Sequence, residues 1–151
     1  MPWTIRQAGP ADAPIIVEYN RRLAAETESK TLDPAVTAAG VAAALDDPDG
    51  KGPYFLAVEQ GAVIGQLQIT YEWSDWRNGW FWWIQGVYIR AEDRRRGVFR
   101  SLYRHVVDLA RKTGVVGIRL YVERENHAAQ RTYTDLGMKE TSYLLLELWP
   151  V

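Results

Sequence analysis

Two stretches of this 151-residue chain hold side chains whose types and spacing can do chemistry. In the first, the apolar run Val87-Tyr88-Ile89 leads through Arg90-Ala91-Glu92-Asp93 into Arg94-Arg95-Arg96-Gly97-Val98-Phe99, a strand followed by a basic turn and a helix start. A helix start presents backbone N–H groups without intrahelical acceptors and a partial positive charge, a combination that suits a pyrophosphate. Arg94, Arg95 and Arg96 add full charges, and Gly97 admits a close ligand or a backbone conformation that other residues resist. In the second stretch Asn126 and Tyr133 stand seven residues apart, which places an amide and a phenol on one helical face about 10 Å apart along the axis. Ala129 between them leaves a shallow path for an extended ligand arm. Taken singly, a basic turn is a solvated loop, an Asn is a helix cap and a Tyr is a half-buried helix residue. Their combination carries the functional reading.

Both stretches need a scaffold, and the hydropathy pattern supplies one. Residues 4–7 read as a strand, and Asp12 with Pro14 starts a helix carrying Ile15, Ile16, Tyr19 and Leu23 at helical spacing. After a polar loop from Glu26, Asp33-Pro34 opens an Ala-rich second helix that ends before Pro48, and residues 46–53 form a connection. Residues 55–59 read as a strand and Gln60-Gly61 as a tight turn. Leu67, Ile69, Tyr71 and Trp73 then alternate with Gln66, Gln68, Thr70 and Glu72, the pattern of a half-buried antiparallel strand. Asn78-Gly79 is a hairpin signal leading into a strand over 80–89. Val98, Leu102, Val106 and Leu109 share one face of a helix that has Arg111 and Lys112 in its last turn and stops at Gly114. Residues 115–123 alternate as a strand, Asn126 caps a helix ending near Gly137, and 139–149 read as a closing strand. The predicted order is β-α-α-β-β-β-α-β-α-β, an α/β (α+β) fold with a mostly antiparallel central sheet and about four helices, in a single domain spanning 1–151.

Composition narrows the chemistry further. The absence of cysteine excludes a thiolate nucleophile, a disulfide scaffold and cysteine-ligated metal sites. A net charge of −1 gives no global footprint for nucleic acid or an anionic membrane, so any basic function is local. The opening Met-Pro-Trp-Thr-Ile-Arg lacks an apolar signal core and no apolar run is long enough to span a bilayer, so the expected compartment is the cytoplasm. His105 and His127 lack ligand-spaced partners; packing or surface roles are expected and no metal is predicted.

With both stretches in place, the sequence resembles the GNAT superfamily of acyl-CoA-dependent N-acetyltransferases over nearly its whole length. The family's coenzyme motif, Arg/Gln-x-x-Gly-x-Gly/Ala after a strand, is similar to Arg94-Arg95-Arg96-Gly97-Val98-Phe99, with Phe99 at the second small position. The later Asn-x-x-Ala-x-x-x-Tyr-x-x-x-Gly pattern corresponds to Asn126, Ala129, Tyr133 and Gly137. The resemblance implies acetyl-CoA as co-substrate, with the backbone of Val87, Tyr88 and Ile89 pairing with its pantetheine arm. It further implies that the turn from Arg95 through Arg96, Gly97, Val98 and Phe99 to Arg100 holds the pyrophosphate. Asn126 would bind the arm and Tyr133 would protonate the leaving thiolate. Phe99 serves there provided its ring points into the core.

Transfer to an alkylamine requires a neutral nucleophile, and deprotonation at pH 7 costs about 4.6 kcal/mol for a pKa near 10.4. Residues Thr70-Tyr71-Glu72-Trp73, Trp76, Gly79 and the following strand resemble the strand pair of the diamine (spermidine/spermine-type) acetyltransferases, in which a Glu assists that step. Gln85 stands at the matching position here and cannot accept a proton as a base. The remaining carboxylates are Glu72, Asp75, Glu123 and Glu125, with Glu72 the first choice and a solvent-facing strand residue the competing reading. Trp76, Glu72 and Gln85 are the candidate acceptor contacts, since aromatic faces attract cations. Core packing is the better explanation for most of the seven Trp.

The leading expectation is thus N-acetylation of a small-molecule primary amine, a polyamine or diamine first, by direct attack in a ternary complex. A non-catalytic acyl-CoA sensor and a protein-acetylating enzyme are the alternatives. The resemblance also brings a homodimer into view, through the Trp-bearing strands or the final strand, and the sequence leaves the oligomeric state open.

Overall fold

A computed structural model describes residues 1–151. The chain forms two compact units, residues 1–120 and 121–151. In the first, β1 (Thr4–Gln7) leads to α1 (Ala13–Glu28), α2 (Pro34–Asp46) and the single turn α3 (Pro48–Lys51). A meander of β2 (Tyr54–Glu59), β3 (Ala62–Ser74) and β4 (Gly79–Ile89) follows, then α4 (Val98–Thr113) and the short β5 (Gly117–Arg119). The sheet order is β1-β2-β3-β4-β5, antiparallel except for the parallel pair β4–β5.

Alternation along β2 sends side chains to both faces of the sheet, and both are covered. Phe55 and Ala57 join Leu67, Ile69, Trp82 and Ile84 beneath the apolar stripe of α4, which buries Val98, Leu102, Val106 and Ala110. Tyr54 and Leu56 meet Ile16 of α1 and Val41, Ala44 and Leu45 of α2 on the other face. Local signals fix the ends of these elements. Asp33 accepts from the Val36 amide at 2.9 Å as the cap of α2, and Gly114 ends α4 in left-handed backbone at φ 73°. Helix α1 runs on through Glu28, so the polar loop after it begins at Ser29 rather than at Glu26.

A bulge interrupts β4. Gln66 pairs with Tyr88 and Gln68 with Gln85, so β4 advances three residues where β3 advances two. Gly86 takes up the extra residue at φ 57°, a conformation that costs glycine little. The bulge is tied from behind by Gln66, fully buried, whose Nε2 donates to the Gly86 carbonyl at 3.0 Å and to Asn20 Oδ1 at 2.8 Å. On its other edge β4 pairs with β5 only from Phe81 to Trp83. From Ile84 to Ile89 that edge has no strand neighbour.

The second unit contains α5 (His127–Asp135) and an irregular tail. The strand expected over 139–149 is not formed, and the one expected over 115–123 shrinks to Gly117–Arg119. A strand is defined by a ladder partner, and β5 is the last strand of the sheet with a neighbour on one side only. Core packing as the explanation for most of the tryptophans is likewise corrected. Trp3 and Trp82 are buried, whereas Trp73, Trp76 and Trp80 of the β3–β4 hairpin and Trp149 of the second unit are exposed.

Replacing Gln66 by Leu removes the donor to two part-buried acceptors, so Gln66→Leu is expected to cost about 1–3 kcal/mol in urea unfolding. A variant as stable as the parent would show that the amide does not hold the bulge.

Candidate functional site

The basic turn has a defined internal architecture. Ile89 ends β4, a 3-10 turn covers Ala91–Asp93, and α4 begins at Val98. Asp93 sits at its centre, buried, with its carboxylate accepting from Arg90 Nε at 2.5 Å and from Arg96 Nη1. These guanidiniums, Arg90 foremost, hold the Asp93 carboxyl below the usual carboxylate range against the opposing effect of its burial. Arg96 also grips both carboxylate oxygens of Glu59 at 2.9 Å and lies over the Trp3 ring at 5.2 Å. Arg94 donates to the Ile89 carbonyl at 2.9 Å and to Glu26 Oε2 at 2.7 Å, with its guanidinium 5.3 Å from the Tyr88 ring.

Arg94 and Arg96 are therefore tethers that fasten the turn to α1, β2 and β4. Arg95 and Arg100 are exposed and make no side-chain hydrogen bond or ion pair within the protein. Arg95 is in left-handed backbone at φ 65° and Gly97 at φ 91°. Left-handed residues at such a position turn successive N–H groups toward one side, the geometry of an anion-binding nest. A non-glycine residue held there costs on the order of 1 kcal/mol, a strain concentrated at binding sites. No side chain caps α4. Its first-turn N–H groups thus lie beside the two unpaired arginines, an arrangement that can receive a phosphate or pyrophosphate. The Phe99 ring packs against the core and stands 6.0 Å from the Tyr103 ring, so its bulk does not occupy the mouth of the nest.

Upstream, the Tyr88 side chain is buried against Tyr19, ring centroids 4.8 Å apart, while Val87 and Ile89 are half-buried. Backbone groups along this edge have no strand partner, and of them the Ile89 carbonyl is taken by Arg94 Nε. The hairpin candidates lie further along the same strands. Glu72 Oε1 accepts from Trp83 Nε1 at 2.9 Å and from Arg119 at 3.0 Å, so this carboxylate is already paired with a cation. Gln85 Nε2 donates to Thr70 Oγ1 at 3.2 Å. Trp76 is 87% exposed at the hairpin tip. His105 packs on Phe55 at 5.3 Å between ring centroids, and His127 is exposed. No cluster of three or more His, Asp or Glu side chains is arranged to hold a metal.

In the second unit, Asn126 caps α5 through Oδ1, which accepts from the Ala129 amide at 3.2 Å. Ala129 and Tyr133 are both half-buried, one turn apart on the helix. Burial pushes the Tyr133 phenol above its ordinary range, so it carries its proton throughout neutral pH. The sequence reading missed Asp93, Glu26, Glu59 and Gln66. The i, i+3 spacing of Arg90, Asp93 and Arg96 could have revealed the first, and a glycine inside the β4 pattern could have revealed the bulge.

Asp93→Asn leaves two guanidiniums without their shared carboxylate and is expected to lower the urea midpoint at pH 7. Because the folded-state pKa is depressed, that stabilisation is complete above the unfolded value near 3.9, and the gap between parent and variant should narrow as pH falls below about 4. A gap that stays constant down to pH 3 would contradict the assignment.

Comparison with known proteins places this geometry in context. The sequence model of the acetyltransferase (GNAT) family matches residues 16–138. A possible acetyltransferase from Clostridium difficile 630, known from its crystal structure, is 43% identical, with 100% of this chain and 99% of that chain covered at a TM-score of 0.92. A predicted acetyltransferase from Clostridium acetobutylicum, crystallised with acetyl-CoA, shares the fold at 17% identity, covering 96% of each chain at a TM-score of 0.79. An aminoglycoside acetyltransferase from an uncultured soil metagenomic sample is similar at 17% identity, with 100% and 99% coverage and a TM-score of 0.74. No curated protein matches the chain. The turn that opens α4, the family match over residues 16–138 and the whole-chain relative at 43% identity together show that the chain belongs to the GNAT family of acetyltransferases, and is an acyltransferase.

Proposed function

We propose that the protein is an acetyl-CoA-dependent N-acetyltransferase that acts on a primary amine of a small molecule by direct attack in a ternary complex. The observation that carries this reading is the uncapped start of α4, with Arg95 and Gly97 in left-handed backbone and Arg95 and Arg100 unpaired beside it. In this reading the N–H groups from Arg95 to Arg100 hold the pyrophosphate. The unladdered β4 edge at Val87, Tyr88 and Ile89 takes the pantetheine arm as an extra strand would be taken. Asn126 and Ala129 border that arm. The whole chain works as one N-acetyltransferase domain.

The amine nitrogen attacks the thioester carbonyl, its carbon–nitrogen bond forms, and the carbon–sulfur bond breaks as thiolate departs. Tyr133 supplies the proton to that sulfur. A free thiol has a pKa near 8.5, so transfer from a phenol above pKa 10 runs uphill by at least about 2 kcal/mol and depends on amide formation to pull it forward. Amine deprotonation is the harder step to assign. Glu72 is the first candidate, and its pairing with Arg119 must loosen before it accepts a proton; Gln85 orients the amine or a water. Exposed Trp76 supplies an aromatic face to a cationic acceptor.

A polyamine or diamine remains the first acceptor class. Two of the structurally similar proteins are aminoglycoside acetyltransferases, at 17% and 12% identity, and aminoglycosides are the second class to test. The occupied state of Glu72 favours one further reading, a coenzyme-binding domain with little turnover. The proposal includes a cytoplasmic location, a homodimer, and no metal, nucleic acid or membrane partner; no helix is long and apolar enough to cross a membrane.

A thiol-release assay with acetyl-CoA and panels of polyamines, aminoglycosides, amino acids and short peptides tests the activity. Amine-dependent release is expected, and coenzyme binding without release for any acceptor would favour the second reading. Tyr133→Phe is expected to lower kcat by about 100-fold or more while coenzyme affinity stays within about twofold. Equal rates would remove Tyr133 from the proton path. Arg95→Ala is expected to weaken acetyl-CoA binding about fivefold to tenfold with an unchanged melting temperature. Unaltered affinity would show that the nest does not face the phosphates.

A further inference from the structure

A stacked cluster of side chains stands where β4 and β5 part. Glu72, Phe81, Trp83 and Arg119 lie on one face of the sheet, opposite their chain neighbours Tyr71, Trp82 and Ile118, which pack on the core with α4. Trp83 and Arg119 form the last rung between the two strands, and from Ile84 onward that edge of β4 is open. The Arg119 guanidinium lies 3.6 Å from the centre of the Phe81 ring, and the ring rests on Gly117, where any Cβ would run into it. Glycine, buried phenylalanine and arginine are thus stacked in order. The stack fixes the plane of the guanidinium and leaves its N–H edge for a partner in that plane.

A single contact occupies that edge. Arg119 Nη1 donates to Glu72 Oε1 at 3.0 Å, and the same oxygen accepts from Trp83 Nε1 at 2.9 Å. Glu72 Oε2 and the Nε and Nη2 of Arg119 make no hydrogen bond within the protein. An arginine stacked on an aromatic ring is suited to two parallel bonds to a carboxylate, and here it makes one. With the Glu72 side chain 45% and that of Arg119 24% exposed, the pair is open to a ligand and is exchanged at little cost. A second guanidinium, that of Arg77, stands 5.1 Å from the same ring, and its side chain bonds only Ser74 Oγ. Two guanidiniums against one carboxylate leave the cluster with an excess of positive charge, which favours a ligand that brings an anion.

We propose that Arg119 is a specificity-determining residue that binds a carboxylate of the acceptor, and that this exchange releases Glu72 to take a proton from the acceptor's ammonium group. The inference rests on the amine-acetylating reading above and narrows its acceptor to a primary amine that carries a carboxylate. A diamino acid keeps both amines of a diamine and adds the anion. The acceptor carboxylate replaces Glu72 on the Arg119 edge. The freed Glu72, still held by Trp83 Nε1, accepts one proton from the ammonium nitrogen. The electron pair left on nitrogen forms the bond to the thioester carbonyl carbon as the carbon–sulfur bond breaks, and the proton on Glu72 passes to solvent. An acceptor without an anion breaks the Arg119–Glu72 pair with nothing to replace it.

Lysine and cadaverine, its decarboxylated counterpart, differ by that carboxylate alone and are the probes. In the thiol-release assay kcat/KM is expected to be at least about tenfold higher for lysine. Arg119→Gln should bring the ratio to within about twofold of unity, and Arg119→Lys should restore part of it. A loss of stability alone does not produce this pattern, because both acceptors meet the same protein. Equal kcat/KM for the two acceptors in the parent, or a lysine preference that survives Arg119→Gln, would overturn the proposal. Should the variants fail to fold, the parent's ratio still decides. The indole N–H resonance of Trp83 reports on Glu72 without turnover. With coenzyme A present, lysine should move it saturably and cadaverine should not. Such a shift without thiol release from any amine would remove the amine-acetylating reading and keep the carboxylate site. Release from other amines without a lysine-specific shift would do the reverse, and neither release nor shift would overturn both.

Discussion

The open edge of the sheet depends on how β4 runs against its neighbours β3 and β5. Because β4 advances three residues against two of β3 at Gly86, and keeps β5 only as far as Trp83, its second half stands with one edge unladdered. That edge leads directly into the turn that opens α4. Were the ladder regular on both sides, the backbone from Ile84 to Ile89 would be satisfied within the sheet and could offer nothing to a ligand. A buried polar network, Asn20–Gln66–Gly86, keeps the mismatch in place from the side of α1. An apolar core alone would not specify it, since hydrophobic contacts are indifferent to the direction of one carbonyl.

The arginines of the basic turn divide into paired and unpaired ones. Asp93, Glu59 and Glu26 take up Arg90, Arg94 and Arg96, which braces the turn internally and fastens it to α1 and β2. Arg95 and Arg100 are left facing solvent on either side of the left-handed Gly97. A turn with five free arginines would repel itself, and one with all five paired would have no charge to give an anion. The division also explains why a net charge of −1 is compatible with a strongly anionic co-substrate, because the field that matters is made locally.

Much of the scaffold was legible because its signals are local. The alternation of Leu67, Ile69, Tyr71 and Trp73, the Asn78-Gly79 turn and the Arg111-Lys112-Gly114 helix end are all visible within a few residues, and the elements form where they imply. Partners distant in sequence were not legible. Arg94 meets Glu26 across 68 positions and Arg96 meets Glu59 across 37, so three adjacent arginines read alike although two are anchors. The tail failed for a related reason. Residues 139–149 have the composition of a strand, yet a strand requires a neighbour, and the alternation of one segment does not say which segment, or which chain, supplies it.

The central claim is that the β4 edge and the α4 start form one continuous receptor for the coenzyme. Titration of the isotopically labelled protein with acetyl-CoA, followed through its backbone amide resonances, tests it most directly. The account predicts saturable binding, with the largest shifts at Val87, Ile89 and the amides from Arg95 to Arg100. Absence of binding, or binding whose largest shifts fall outside these segments, would contradict it.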